Sequence, residues 1–221
     1  MDYSPLVSRN DSGPQSASAT PPPDLVVLRT TPPRERSDAA RNRAAVLEAA
    51  AALFRDHGVE GVSMDAVASA AGVGKGTLFR RFGDKAGLAT ALLDTQEGAL
   101  QEAILFGPAP LGPGPGPADA PPTARDRLLA FVTAYLDYLL GHLDLVRVSE
   151  TASPGARYRI GAYRFWHRHV ALLLAGRPDP DADAHALLAT LAAEHVRAVV
   201  EDIGEDRLRA ASRRLACALT G

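Results

Sequence analysis

The sequence predicts an all-α chain, and three observations carry that prediction. From residue 38 onward apolar residues recur at i, i+3, i+4 and i+7, the spacing of one helix face. Alternating runs of β-branched residues, the mark of a half-buried strand, are missing. The breaks between periodic stretches fall on Gly, Pro and capping Ser, Thr or Asp.

Residues 1–36 read as a disordered N-terminal arm, rich in Pro, Ser and Thr, with Pro21-Pro22-Pro23 and Pro32-Pro33 opposing any regular element. Arg29, Arg34 and Arg36 have the charge to enter a minor groove, but a solvated tail is the plainer reading. Ser37 or Asp38 caps a helix that runs to about His57, with Val46, Leu47, Ala50, Leu53 and Phe54 as its apolar stripe. Gly58 ends it.

Ser63 to Lys85 is the most informative stretch. Ser63 caps a short helix whose buried face holds Met64, Val67, Ala68 and Ala71. Gly72 supplies a turn that a β-carbon resists. A second short helix over Thr77–Phe82 is anchored by Leu78 and Phe82 at i, i+4, which leaves Arg80 and Arg81 facing a partner. A helix-turn-helix of this kind lays its second helix in the major groove of DNA. Lys75 and Lys85 stand at helix starts, where phosphates are met; Thr77 suits a phosphate or a thymine methyl; Arg80 and Arg81 suit guanine O6 and N7.

Asp84 caps a longer helix carrying Leu88, Ala91, Leu92, Thr95 and Ala99. The Pro/Gly-rich stretch 107–122 cannot hold a helix and reads as a mobile surface loop. Helices are then expected over Thr123–Leu143 and around Leu145–Glu150. A further one over Arg157–Ala175 sets Arg157, Arg164 and Arg168 on a solvated face, opposite Phe165, Trp166 and His169. The last two span Asp183–Asp202 and Asp206–Leu219.

The formal charge of the 221 residues is −2, yet it is unevenly spread. Arg29–Lys85 holds ten Lys or Arg against seven Asp or Glu, whereas Ala86–Gly221 holds thirteen against sixteen. A basic head on an acidic body has the sign that nucleic-acid binding requires. One cysteine, Cys217, excludes an intramolecular disulfide framework and a multi-cysteine zinc site. With neither a bilayer-length apolar run nor a signal-peptide pattern at the start, a cytoplasmic protein away from the membrane is expected.

Residues 38–95 resemble the DNA-binding domain of the TetR family of transcriptional regulators. Phe54 and Gly58, then Ala71, Gly72, Val73, Gly76, Thr77, Leu78, Phe79, Phe82 and Lys85, stand at the positions of that family's pattern. The resemblance implies a helix-turn-helix domain over 37–83 and a helical ligand-binding and dimerisation domain over 84–221. It implies DNA contacts at Lys75, Gly76, Thr77, Phe79, Arg80, Arg81 and Lys85. Phe79 replaces the family's usual Tyr, which removes a hydroxyl from that set.

By the same resemblance a small-molecule effector sits among the helices of 123–175, with Phe131, Tyr135, Tyr138, Arg147, Tyr163, Trp166 and His169 as candidate contacts. The last two helices pair with a second copy, with Leu188, Leu191, Val199, Leu208, Leu215 and Leu219 contributing there or to adjacent core. The expected protein is a homodimeric regulator, a repressor on a near-palindromic operator, with no cofactor, no metal and no catalysis. Two other classes are weighed beside it. Gly74-Lys75-Gly76-Thr77 resembles the end of a nucleotide-binding P-loop, but Ser69 stands where that motif needs glycine and the preceding residues have helical spacing. A helical interaction module without DNA binding is the other, and the retained arginines disfavour it.

Overall fold

A computed structural model describes residues 34–116 and 121–221, which form eleven helices and no strand. Helix α1 (Arg34–Gly61) begins inside the stretch read as an arm; residues 1–33, with Arg29, lie outside the described residues. Gly58 breaks α1 as expected, at φ 70° and ψ 155°, and one further turn follows it. Helices α2 (Met64–Ala70) and α3 (Lys75–Phe82) complete the head. Its core joins Val46, Ala50 and Phe54 of α1 to Val67, Leu78 and Leu88.

Helix α4 (Lys85–Phe106) runs from head to body, burying Leu88 in the first core and Leu93, Leu100 and Ile104 in the second. Helix α5 (Ala124–Gly141) starts in a reciprocal capping box between Thr123 and Asp126. The described part of the Pro/Gly-rich stretch between them is held to the body. Leu111 packs against its core, and Arg127 donates to the Gly112 carbonyl at 3.1 Å. Residues 117–120 lie outside the described residues.

Helix α6 (Leu143–Glu150) is the second strut between the two units, and its sequence gave no sign of that role. Leu145 touches both cores and Val148 packs on the head. Ser149 shares a 2.9 Å hydrogen bond with Thr90 of α4, and Arg147 pairs with Glu60 of α1 at 2.5 Å.

Two expected helices are each divided. The first is α7 (Ala156–Arg159) followed by α8 (Gly161–Leu173), because Ile160 is extended at φ −69° and ψ 136°. The second is α9 (Pro180–Ala189) followed by α10 (Ala193–Ile203), with the break at residues 190–192. Helix α11 (Glu205–Leu219) closes the body after Gly204.

These breaks overturn one placement. Arg157 is only 7% exposed and not on a solvated face, since a helical face projects across 157–175 only if the helix is continuous. It pairs with buried Glu150 and donates to the Leu188 carbonyl at 2.8 Å, the C-terminal end of α9. Glu150 in turn accepts from the Ala193 N–H at 2.9 Å, at the uncapped start of α10. One ion pair thus satisfies backbone groups on both sides of the α9–α10 break. Leu188, Leu191 and Leu208 fall in the adjacent core, one of the two places expected for them, and are buried there. Val199, Leu215 and Leu219 are half-buried.

Candidate nucleic-acid interface and effector cavity

Local chemistry builds the helix-turn-helix. The Ser63 hydroxyl oxygen accepts from the Ala66 N–H at 3.1 Å and caps α2. Gly72 turns the chain at φ 64°, a region costly to any residue with a β-carbon. Leu78, 1% exposed, pins α3 to the head core. With that side inward, α3 presents Lys75, Gly76, Phe79, Arg80 and Arg81 to solvent, Phe79 at 45% exposure, with Thr77 half-buried.

The basic side chains are not equivalent. Lys75 forms an exposed ion pair with Asp65 of α2. Arg81 donates to the Ala39 carbonyl of α1 at 2.7 Å, which fastens α3 to the first helix. Lys85 is half-buried, and its ammonium donates to the Val59 and Glu60 carbonyls at 2.9 and 3.1 Å, just beyond the Gly58 break. Of the α3 cations, Arg80 alone is exposed without an intramolecular partner among the described residues. Sequence spacing treats Arg80 and Arg81 as a pair; it contains nothing about the carbonyl that separates them.

In the body, Tyr135, Tyr138, Tyr163 and Trp166 line one cavity together with Leu93, Glu97, Val146, Ser149, Glu150, Ile160 and Ala162. Its volume is about 20 Å³, room for about one water. The other three expected contacts are placed differently. Phe131 lies behind this wall, its ring 5.7 Å from that of Tyr135 and 6.3 Å from that of Trp166. His169 sets a tilted ring 5.3 Å from that of Phe131, outside the cavity. Arg147 faces the head through Glu60. The Glu97 carboxylate, which the sequence did not single out, accepts from the Tyr138 hydroxyl at 2.8 Å. Burial pushes the Glu97 carboxyl above its usual range, against the lowering effect of that hydrogen bond, and Asp94 adds to the rise. Burial and Glu97 likewise push the Tyr138 phenol up, so Tyr138 stays a donor.

His169 is half-buried with its Nε2 unpartnered, and burial, reinforced by Arg127, holds its pKa down to about 4. The unfolded chain takes up that proton near pH 6.5. Between these values the unfolded state binds more protons, so stability falls as pH drops from about 6.5 to 4. Chemical unfolding across this window is expected to show that loss in the native chain and a flatter profile in His169→Gln. Parallel profiles for the two proteins would remove His169 from the acid response.

Among the described residues no single helix is long and apolar enough to cross a membrane.

Residues 46–92 match the family of bacterial regulatory proteins designated tetR. An HTH-type transcriptional regulator of Staphylococcus aureus (strain USA300) is 47% identical over 53 residues, which is 24% of this chain and 29% of that protein. The chain thus aligns with under a third of the length of the curated relatives it matches. The whole fold resembles the transcriptional regulator FadR of Bacillus subtilis, solved with stearoyl-CoA, at a TM-score of 0.53 and 18% identity over 80% of this chain and 96% of that one. It also resembles a putative transcriptional regulator of Saccharomonospora viridis, solved with choline, at 0.52 and 22% over 80% and 95%. At such identities the likeness is one of fold.

Proposed function

We propose that this chain, whose residues 46–92 carry the tetR-family DNA-binding segment, is a sequence-specific transcriptional regulator that a small molecule releases from DNA. The observation that carries the reading is α3: a short helix held by Leu78, opened by Lys75 and presenting Arg80 outward. Arg80 reads base edges in the major groove, while Lys75 exchanges Asp65 for phosphate and Thr77 and the backbone at Gly76 approach the same strand. Phe79 packs on sugar or a thymine methyl. Arg81 and Lys85 position the reading helix by fastening it to α1.

The protein acts in the cytoplasm as a homodimer, so that two heads meet half-sites of a near-palindromic operator one helical turn apart or a multiple of it. Val199, Leu215 and Leu219 on α10 and α11 are the half-buried apolar residues a second copy would cover. The effector acts through α4 and α6, which join the body cavity to the head, and it must bind one head position better than the other. The neighbours' ligands, a long-chain acyl thioester and a quaternary ammonium, differ in charge and do not choose an effector class.

Fluorescence anisotropy against DNA from upstream of the coding region, beside a scrambled duplex at several salt concentrations, tests the reading. Tight binding to one site that survives near physiological salt is expected. No binding even at low salt would sink it.

A further inference from the structure

The charges around the body cavity do not balance. Two carboxylates, Glu97 and Glu150, line it. Glu150 is neutralised by Arg157, whose guanidinium also lies over the Tyr163 ring at 5.1 Å and so occupies that aromatic face. Glu97 has the Tyr138 hydroxyl and, among the described residues, no ion-pair partner, although Arg157 reaches Tyr135 beside it. Asp94, one turn back on α4, adds no relief, since its own exposed partner Arg43 lies at 3.2 Å. A half-buried carboxylate is therefore left facing aromatic rings. Tyr138 and Trp166 each set an edge-on ring against Tyr135, with centroids 5.9 Å away in both cases.

We infer that this cavity takes an organic ammonium ion with apolar substituents, its charge set against Glu97 and its substituents against Tyr135, Tyr138 and Trp166. The inference rests on the ligand-responsive reading above and gives the effector its class. Aromatic faces attract a desolvated cation through their quadrupole, and the carboxylate supplies the remaining charge. An acyl carboxylate or phosphate would meet Glu97 as a like charge, and a neutral ligand would leave it uncompensated.

The size of the cavity makes such a ligand a switch. About 20 Å³ does not admit a substituted ammonium, so the ion binds only a state in which the wall has opened. A ligand with that preference shifts the population toward the opened state. Glu97 lies on α4, which begins three residues after α3 ends, so opening at Glu97 moves the helix that carries the reading head.

Trp166 is the chain's one tryptophan and lies in the wall, so its selectively excited fluorescence reports the site directly. The full-length protein is titrated with decyltrimethylammonium and decanoate below their micelle concentrations and with decanol below its solubility limit, three probes with similar tails and different head charge. Saturable change with the cation is expected, with decanol and decanoate at least about tenfold weaker. Glu97→Gln, which keeps the side-chain size and an acceptor for Tyr138, should weaken the cation at least about tenfold and leave decanol unaltered.

Equal affinity for the three heads, tighter decanoate, or an unaltered Glu97→Gln overturns the inference. DNA anisotropy on the same preparation separates the two readings. Protein that binds its operator but shows no saturable cation signal overturns the effector class and leaves the regulator. A Glu97-dependent cation signal in protein that binds no DNA does the reverse.

Discussion

Arg157→Met is expected to lower the unfolding free energy by about 3–5 kcal/mol, the range for breaking a buried ion pair from one side. Both side chains of the Arg157–Glu150 pair are 8% exposed, so the carboxylate left behind is not rescued by water. The loss extends beyond the charge. The Leu188 carbonyl at the end of α9 loses its donor, and Tyr163 loses the cation over its ring. For a chain of this length the change corresponds to a fall in Tm on the order of 10 °C. Urea and thermal unfolding measure it, and a loss below about 1 kcal/mol would show that the pair does not clamp the α9–α10 break. The double variant Arg157→Met, Glu150→Gln should recover part of the stability. It removes the orphaned charge and keeps an acceptor for the Ala193 N–H.

That clamp also marks where sequence reasoning stopped. The head was legible because each of its determinants is local. A cap at Ser63, a positive-φ glycine at residue 72 and anchors at Leu78 and Phe82 lie within twenty residues of one another. In the body the period of 3.6 remained visible, but residues 190–192 carry neither glycine nor proline, the break at Ile160 is marked only by the single Gly161 after it, and the chain read as continuous. Across 156–159 the extrapolated face then pointed Arg157 outward. What turns it inward is Glu150, and no spacing rule relates a strut helix to a helix break more than forty residues later. The apolar residues of 188–219 were legible only in part. An apolar stripe says that a face is covered and not by which chain, and three of the six chosen are covered by their own protomer. The aromatic wall was half legible, since four of seven candidates meet at one cavity. Glu97 was missed because, on sequence alone, a glutamate in a helix is a solvated one.

The second large effect is expected at Arg80. If it forms a bidentate contact to guanine, Arg80→Ala should weaken operator binding by about 1–3 kcal/mol while binding to a scrambled duplex changes far less. Lys75→Ala should weaken both duplexes alike and reduce the slope of log affinity against log salt by about 1, because a phosphate contact carries charge without sequence. Arg81 differs from both. Its guanidinium is engaged by the Ala39 carbonyl, so its loss should act by loosening α3 against α1 and should appear as lower head stability together with weaker binding. Anisotropy titrations of the three variants on operator and scrambled DNA, with unfolding curves beside them, separate reading, phosphate contact and positioning. The assignment fails if Arg80→Ala loses equal affinity on both duplexes while Arg81→Ala loses it on the operator alone. That outcome would mean that the Ala39 contact opens on binding and that Arg81 reads the bases.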